Sequence, residues 1–133
     1  MTEQDVKLLL LDLCARLPYG VKIQSVKEPD TAFRLCAVDI ESKEIKFFKY
    51  ESKALTILDI GKLIRYDKIC YKPYLRPMSL MTEEESEEFS NMEIVGYSNY
   101  DWLNAHHFDF RNLIEKGLAI EVTEENNPYE RRD

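Results

Sequence analysis

The tetrapeptide Leu17-Pro-Tyr-Gly20 separates two periodicities that cannot belong to one element. Before it, Val6, Leu9, Leu10, Leu13, Cys14 and Leu17 recur at the spacing of one helical face, and Thr2 with Asp5 three residues on supplies a capping pattern. After it the apolar residues come in short strand-like runs. Proline disfavours the helical conformation in the residue before it, and glycine tolerates the left-handed one, so the spacing predicts a helix over 3–17 that ends here. Leu8, Leu11 and Ala15 form a second apolar face on that helix. A surface helix keeps its second face polar, so this one is expected to be covered on two sides, by the C-terminal segment or by a second copy of the chain.

The strand-like segments are Val21–Lys27, Phe33–Glu41, Glu44–Tyr50, Leu55–Leu58 and Ile69–Leu75, with turns at Glu28-Pro-Asp-Thr31 and Ser42-Lys43. They read as an antiparallel meander. Leu35-Cys-Ala-Val38 and Phe47-Phe48 place apolar groups on both faces, which suits a sheet that curls or carries a helix outside. Pro73 and Pro77 give no ladder donor and predict an edge or closure position for the fifth strand.

From residue 81 the signals turn helical. Thr82 and Glu85 form a capping box for an acidic helix over 83–91; Ser98 with Asp101 opens another, with Tyr97 stapling Trp102. Asp109 reads as the cap of a third, with Phe108 stapling Leu113 and Gly117 closing it before a strand-like Leu118–Val122. The expected fold class is α+β, with the N-terminal helix on a curled antiparallel sheet and short C-terminal helices. Residues 1–122 are assigned to one domain, and the polar stretch 123–133 is expected to fray.

A chain of 133 residues buries roughly two thirds of its unfolded surface, enough for a core without metal or disulfide. No cofactor is expected. Cys14, Cys36 and Cys70 are odd in number and lack a C-x-x-C spacing, which points to a reducing, cytoplasmic setting. The longest apolar run, Leu8–Leu11, is far short of the ~20 residues of a membrane-spanning helix, so no membrane partner is expected.

The formal charge of −7 is unevenly spread. Residues 1–60 carry nine Lys/Arg against ten Asp/Glu, residues 61–80 five against one, and residues 81–133 four against fourteen. The basic block interleaves Lys62, Arg65, Lys68, Lys72 and Arg76 with Tyr66, Tyr71 and Tyr74. Such a pattern can contact phosphates and stack on bases of single-stranded nucleic acid. A basic strand lying against the chain's own acidic third has the same composition, and the overall negative field repels polyanions. Intramolecular pairing is therefore the preferred reading.

Both histidines, His106 and His107, lie between Asp101 and Asp109. Adjacent residues diverge by about 100° on a helix, so the two do not converge on a metal, and Asp109 is committed as a cap. The expectation is one packed and one superficial histidine. No Gly-flanked nucleophile and no phosphate-cradling loop occurs. Trp102, Tyr97, Tyr100, Phe108 and Phe110 concentrate aromatic surface near the last helices, as core or as a recognition surface.

Leu17-Pro-Tyr-Gly-Val-Lys22, Lys72-Pro-Tyr-Leu-Arg-Pro-Met-Ser-Leu-Met-Thr-Glu-Glu-Glu85 and Asp101-Trp-Leu-Asn-Ala-His-His-Phe-Asp-Phe-Arg-Asn-Leu-Ile-Glu-Lys-Gly-Leu-Ala119 resemble short uncharacterised proteins from prophage-like regions of gut Bacteroidales and their phages. The resemblance spans residues 8–120. It implies a bacterial cytoplasm, a mobile-element context and an accessory role, and it carries no catalytic residues. A helix followed by five short strands ending in Lys72-Pro-Tyr-Leu-Arg-Pro77 is also similar in pattern to SH3-like or Sm-like small barrels. Together these readings point to a non-enzymatic protein-interaction or accessory module. Its partner would be an unidentified protein, or a second copy through the Leu8/Leu11/Ala15 face. A nucleic-acid-associated accessory protein using segment 61–77 is the alternative, and a small metal-dependent or hydrolytic enzyme around His106, His107 and Asp109 comes last.

Overall fold

The computed structural model describes residues 3–25, 28–39, 41–42, 44–49, 54–59, 64–65, 68–69, 71–91 and 96–129. Helix α1 (Glu3–Arg16) runs into a 3-10 turn over Leu17–Tyr19, and Gly20 ends it at φ 67°, the left-handed conformation anticipated there. Strands β1 (Lys22–Ser25), β2 (Glu28–Asp39), β3 (Glu44–Lys49) and β4 (Ala54–Asp59) form the antiparallel meander. A separate two-stranded pair, β5 (Ile64–Arg65) and β6 (Lys68–Ile69), precedes β7 (Tyr71–Pro77). Helices α2 (Glu83–Asn91) and α3 (Gly96–Ala105) and the two-residue strands β8 (Phe108–Asp109) and β9 (Ile120–Glu121) follow.

The class is α+β, as expected, but the sheet is open. Its order is β4-β3-β2-β1-β7-β8, with β9 also on β7, and among the described residues β4 does not pair with the far end. The SH3-like or Sm-like barrel is therefore not what these strands build. The C-terminal strands β8 and β9 instead add to β7 in parallel, making the sheet mixed.

Two irregularities explain the imperfect alternation. β2 pairs Leu35 with Phe47 and then Ala37 with Lys46, so Cys36 is an extra residue that resets the period. Phe33, Leu35 and Val38 consequently all reach the core. The expected turn at 28–31 lies instead within β2: Ser25 pairs with Glu28 and Gln24 with Ala32, so residues 29–31 interrupt the ladder without ending the strand. Phe48, next to buried Phe47, lies on the outer face with Arg34 as its cross-strand partner, the guanidinium 5.8 Å from the ring.

β7 is an inner strand, not the edge predicted from Pro73 and Pro77. The Leu75 carbonyl accepts from Val122 N–H at 2.8 Å and the Arg76 N–H donates to His107 O at 2.7 Å. Carbonyl and N–H of one trans peptide point oppositely, so β9 and β8 occupy opposite sides of β7. Donors on β7 alternate with residue number, and those of 72, 74 and 76 face β1 and β8. The prolines at 73 and 77 have the other parity, so neither is asked for a bond on that side.

The main core joins Leu9 and Leu13 of α1 to Val21, Ile23, Phe33, Leu35, Ile45, Phe47 and Leu75 of the sheet region and to Leu113, Leu118 and Ala119 beyond. Each buried leucine or phenylalanine contributes about 1.5–3 kcal/mol relative to exposure. The buried side of α1 is rotated from the predicted one: Cys14 is exposed, and Asp12 and Arg16 lie fully buried beside Leu9 and Leu13. Of the second face, Leu8 packs against the core and Ala15 is half-buried, while Leu11 is 59% exposed. The predicted cover on two sides is thus incomplete.

The helix at 83–91 and its capping box form as read: Glu85 N–H donates to Thr82 Oγ1 and Thr82 N–H to Glu85 Oε1, both at 3.1 Å. α3 begins at Gly96, two residues before Ser98, and the Tyr97 side chain lies outside what is described. The third helix is only a turn. Asp109 does cap it, accepting from Leu113 and Ile114 N–H at 2.9 and 3.0 Å, but Asn112 at φ 62° stops helical propagation. Gly117, at φ 75°, closes the turn before β9.

Candidate functional site

Among the described residues, four of the five buried polar side chains, Asp12, Arg16, Asn104 and Asp109, lie on α1, α3 and β8; the fifth is Ser25 of β1. Asp12 and Arg16 are one helical turn apart, and Arg16 Nε donates to both Asp12 oxygens at 2.9 Å. Arg16 Nη2 reaches the Phe108 carbonyl at 2.5 Å, tying α1 to β8. Arg111 Nη1 donates to Asp12 Oδ1 at 2.6 Å and to Asn104 Oδ1 at 3.3 Å, bringing in α3 and the segment after β8. Burial pulls the Arg16 guanidinium below its ordinary pKa while Asp12 opposes the shift. Phe110 has two guanidiniums near its ring, that of Arg16 at 5.7 Å and that of Arg111 at 4.1 Å.

Beside this knot, Tyr129 completes the sheet. Its hydroxyl accepts from Lys22 N–H at 2.9 Å and donates to Tyr74 O at 2.7 Å, at the next hydrogen-bonding position after the Gln24–Lys72 pair. One side chain replaces a rung of the β1–β7 ladder. Burial raises the Tyr129 phenol, and its ring stacks on His107 at 3.8 Å and 10°. Tyr129 is thus anchored to the sheet, while residues 123–126 are exposed; residues 130–133 of the stretch expected to fray lie outside the described residues.

The two histidines diverge. His107, at φ 63°, lies under Tyr129 with a buried Nδ1, and burial, then Arg16 and Arg76, lower its pKa to about 3. His106 is half-exposed, 4.1 Å from the Trp102 ring, with Nδ1 3.4 Å from Glu85 Oε2. Among the described residues no three His, Cys, Asp or Glu side chains are placed to hold a metal. Cys14 and Cys36 are free thiols, and burial raises Cys14.

A second cluster joins α2 to this region. Arg76 grips Glu85 through two bonds, Nη2–Oε1 at 2.6 Å and Nη1–Oε2 at 2.9 Å, while Nη1 also donates to His106 O at 3.2 Å. The paired guanidinium lowers the Glu85 carboxyl to about 2. Trp102, 9% exposed, donates from Nε1 to Glu88 Oε1 at 3.1 Å and packs against Phe89 and Phe108. Tyr100 is 54% exposed and stacks on Phe110 at 5.4 Å.

The basic segment is divided by the fold. Arg76 meets the acidic third through Glu85. Tyr71 stacks on Phe47 at 5.1 Å, Tyr74 is 3% exposed and accepts from Gln24 Nε2, and Lys72 is half-buried opposite Gln24. Lys62 and Tyr66 lie outside the described residues, as do the side chains of Arg65 and Lys68. Sequence reasoning missed Asp12, Arg16, Arg111, Asn104 and Tyr129. A signal existed for the first two: an i, i+4 Asp–Arg pair set among the core leucines of α1.

Family models, curated proteins and solved structures offer no match to this chain. No helix among the described residues is long and apolar enough to cross a membrane.

Proposed function

We propose that this protein is a protein-interaction module, an accessory factor of the mobile-element type its segments resemble, that associates through the open side of α1. The observation that carries the reading is Leu11, 59% exposed in the middle of a structural helix whose next residue anchors the polar knot. At about 100° per residue, Leu8, Leu11 and Ala15 lie on the Asp12 side of α1, the side that Arg111 and Phe110 approach. Tyr100, stacked on Phe110, extends the apolar surface from there. Contiguous exposed apolar surface marks interaction sites, and tyrosine is enriched in binding hot spots.

The preferred occupant is a second copy of the chain. Light scattering across a concentration series, with Leu11→Glu and Tyr100→Glu as comparisons, tests this. Association that both substitutions abolish, with the circular dichroism spectrum unchanged, is the expected result. A monomer at all concentrations, joined to an empty pull-down from bacterial lysate, would refute the reading.

A further inference from the structure

Helix α2 has no buried residue, and five of its nine residues are glutamate. It meets the rest of the protein through Glu85 on Arg76, Glu88 on Trp102 Nε1, and the Phe89 ring 5.4 Å from that of Trp102. The receiving side is built independently of it. Arg76 lies 4.2 Å over the fully buried Phe108 ring and is tied to His106 O, and Trp102 stands between His106 and Phe108 at 4.1 and 5.8 Å. A guanidinium fixed from below and an indole N–H aimed outward form a preorganised receptor for carboxylates. A nine-residue helix is marginal by itself in water, so α2 depends on this surface more than the surface depends on α2.

We propose that α2 is a displaceable strap over a carboxylate-binding surface made by Arg76, His106 and Trp102. The external ligand of that surface is an acidic peptide segment bearing two carboxylates and an aromatic ring at the spacing of Glu85, Glu88 and Phe89. The proposal rests on the protein-interaction reading and names a second surface and the chemistry of its partner. Arg76 supplies the bidentate fork, Trp102 Nε1 the second donor, and the Trp102 ring a tilted aromatic contact. When the strap leaves, the Arg76 guanidinium loses its Glu85 partner and is uncovered, which favours a ligand bearing a carboxylate. The tethered strap competes at an effective concentration in the millimolar range, which lowers the affinity of the intact protein for any free ligand by the ratio of closed to open forms.

Trp102 is the only tryptophan, so its emission reports on the strap directly. The probe is a fluorescein-labelled, end-capped peptide of residues 81–92, titrated into the full chain and into the triple variant Glu85→Gln, Glu88→Gln, Phe89→Ala. The variant is expected to bind the peptide at least tenfold more tightly than the unsubstituted protein, and added Arg76→Gln to lower that binding at least tenfold. Equal binding to the unsubstituted protein and the triple variant, or binding indifferent to Arg76→Gln, overturns the proposal. Hydrogen exchange on the unsubstituted protein gives a test that needs no variant. Amides of 87–91 are expected to exchange at least a hundredfold faster than those of 9–13 in α1, and equal protection overturns the strap. Loss of peptide binding with concentration-dependent association intact removes this proposal alone; loss of association through Leu11 with peptide binding intact removes only the α1 surface.

Discussion

Two arginine–carboxylate pairs do opposite work in this protein. Asp12–Arg16 lies wholly inside, shares its carboxylate with Arg111, and fastens α1 to α3 and β8. Arg76–Glu85 has better bidentate geometry, yet both side chains retain access to solvent, at 20% and 16% exposure, and only α2 hangs from it. The difference is in what remains when one partner is removed. Inside, the survivor is a charge with no water to turn to; outside, it rehydrates. Burial makes the first pair obligatory and leaves the second reversible.

The comparison breaks first at Asp12. Asp12→Ala strands Arg16 and is expected to cost about 3–5 kcal/mol in urea unfolding, enough to leave little folded protein. A cost below about 1 kcal/mol would mean the knot is dispensable. Tyr129→Phe leaves Lys22 N–H and Tyr74 C=O without their shared partner, with an expected cost of about 1–3 kcal/mol and faster exchange at Lys22.

The pH response separates the two regions further. The native-state pKa of His107, about 3, lies below its ordinary 6.5, so between those values the unfolded chain takes up a proton that the folded one refuses. Stability therefore falls as pH drops from 6.5 toward 3, by up to about 1.4 kcal/mol per pH unit from this group. His107→Asn, which suits the positive φ, is expected to flatten that slope in unfolding curves collected across the window. Glu85, held at about 2 against an ordinary 4.5, contributes above pH 4.5 and loses its contribution as pH falls toward 2. Glu85→Gln is the smallest expected effect, below about 1 kcal/mol at neutral pH, with a visible change in Trp102 emission.

What could be read from the sequence was local. The Pro18-Tyr-Gly20 stop and the Thr82–Glu85 box each depend on residues a few positions apart, and each formed; Asp109 and Gly117 bracket a turn where a helix was expected. The sheet's openness, the inner position of β7 and the rotation of α1 depend on residues far apart in the chain, where periodicity is silent. Pro73 shows the limit well: proline forbids one donor, and whether that excludes an inner strand depends on which side each neighbour takes. Cys36 looked like a break in alternation because a bulge shifts the period without altering composition. In the candidate site, the histidines and Trp102 were visible as residue types, whereas Tyr129 stacks on His107 from 22 positions away, Glu88 meets Trp102 from 14 and Arg16 reaches the Phe108 carbonyl from 92.

The Tyr129 hydroxyl also has a consequence for the order of assembly. It joins a backbone amide 107 positions earlier to a carbonyl 55 positions earlier, so no shorter stretch of this chain can finish its own first strand. Contacts of such span are formed against a large loop-closure entropy and come late in folding. A polypeptide halted before Tyr129 would show an unfilled gap between β1 and β7, an opening where another chain's backbone or side chain could pair. Completion of the sheet is thereby a signal that the preceding chain has been made and is in place.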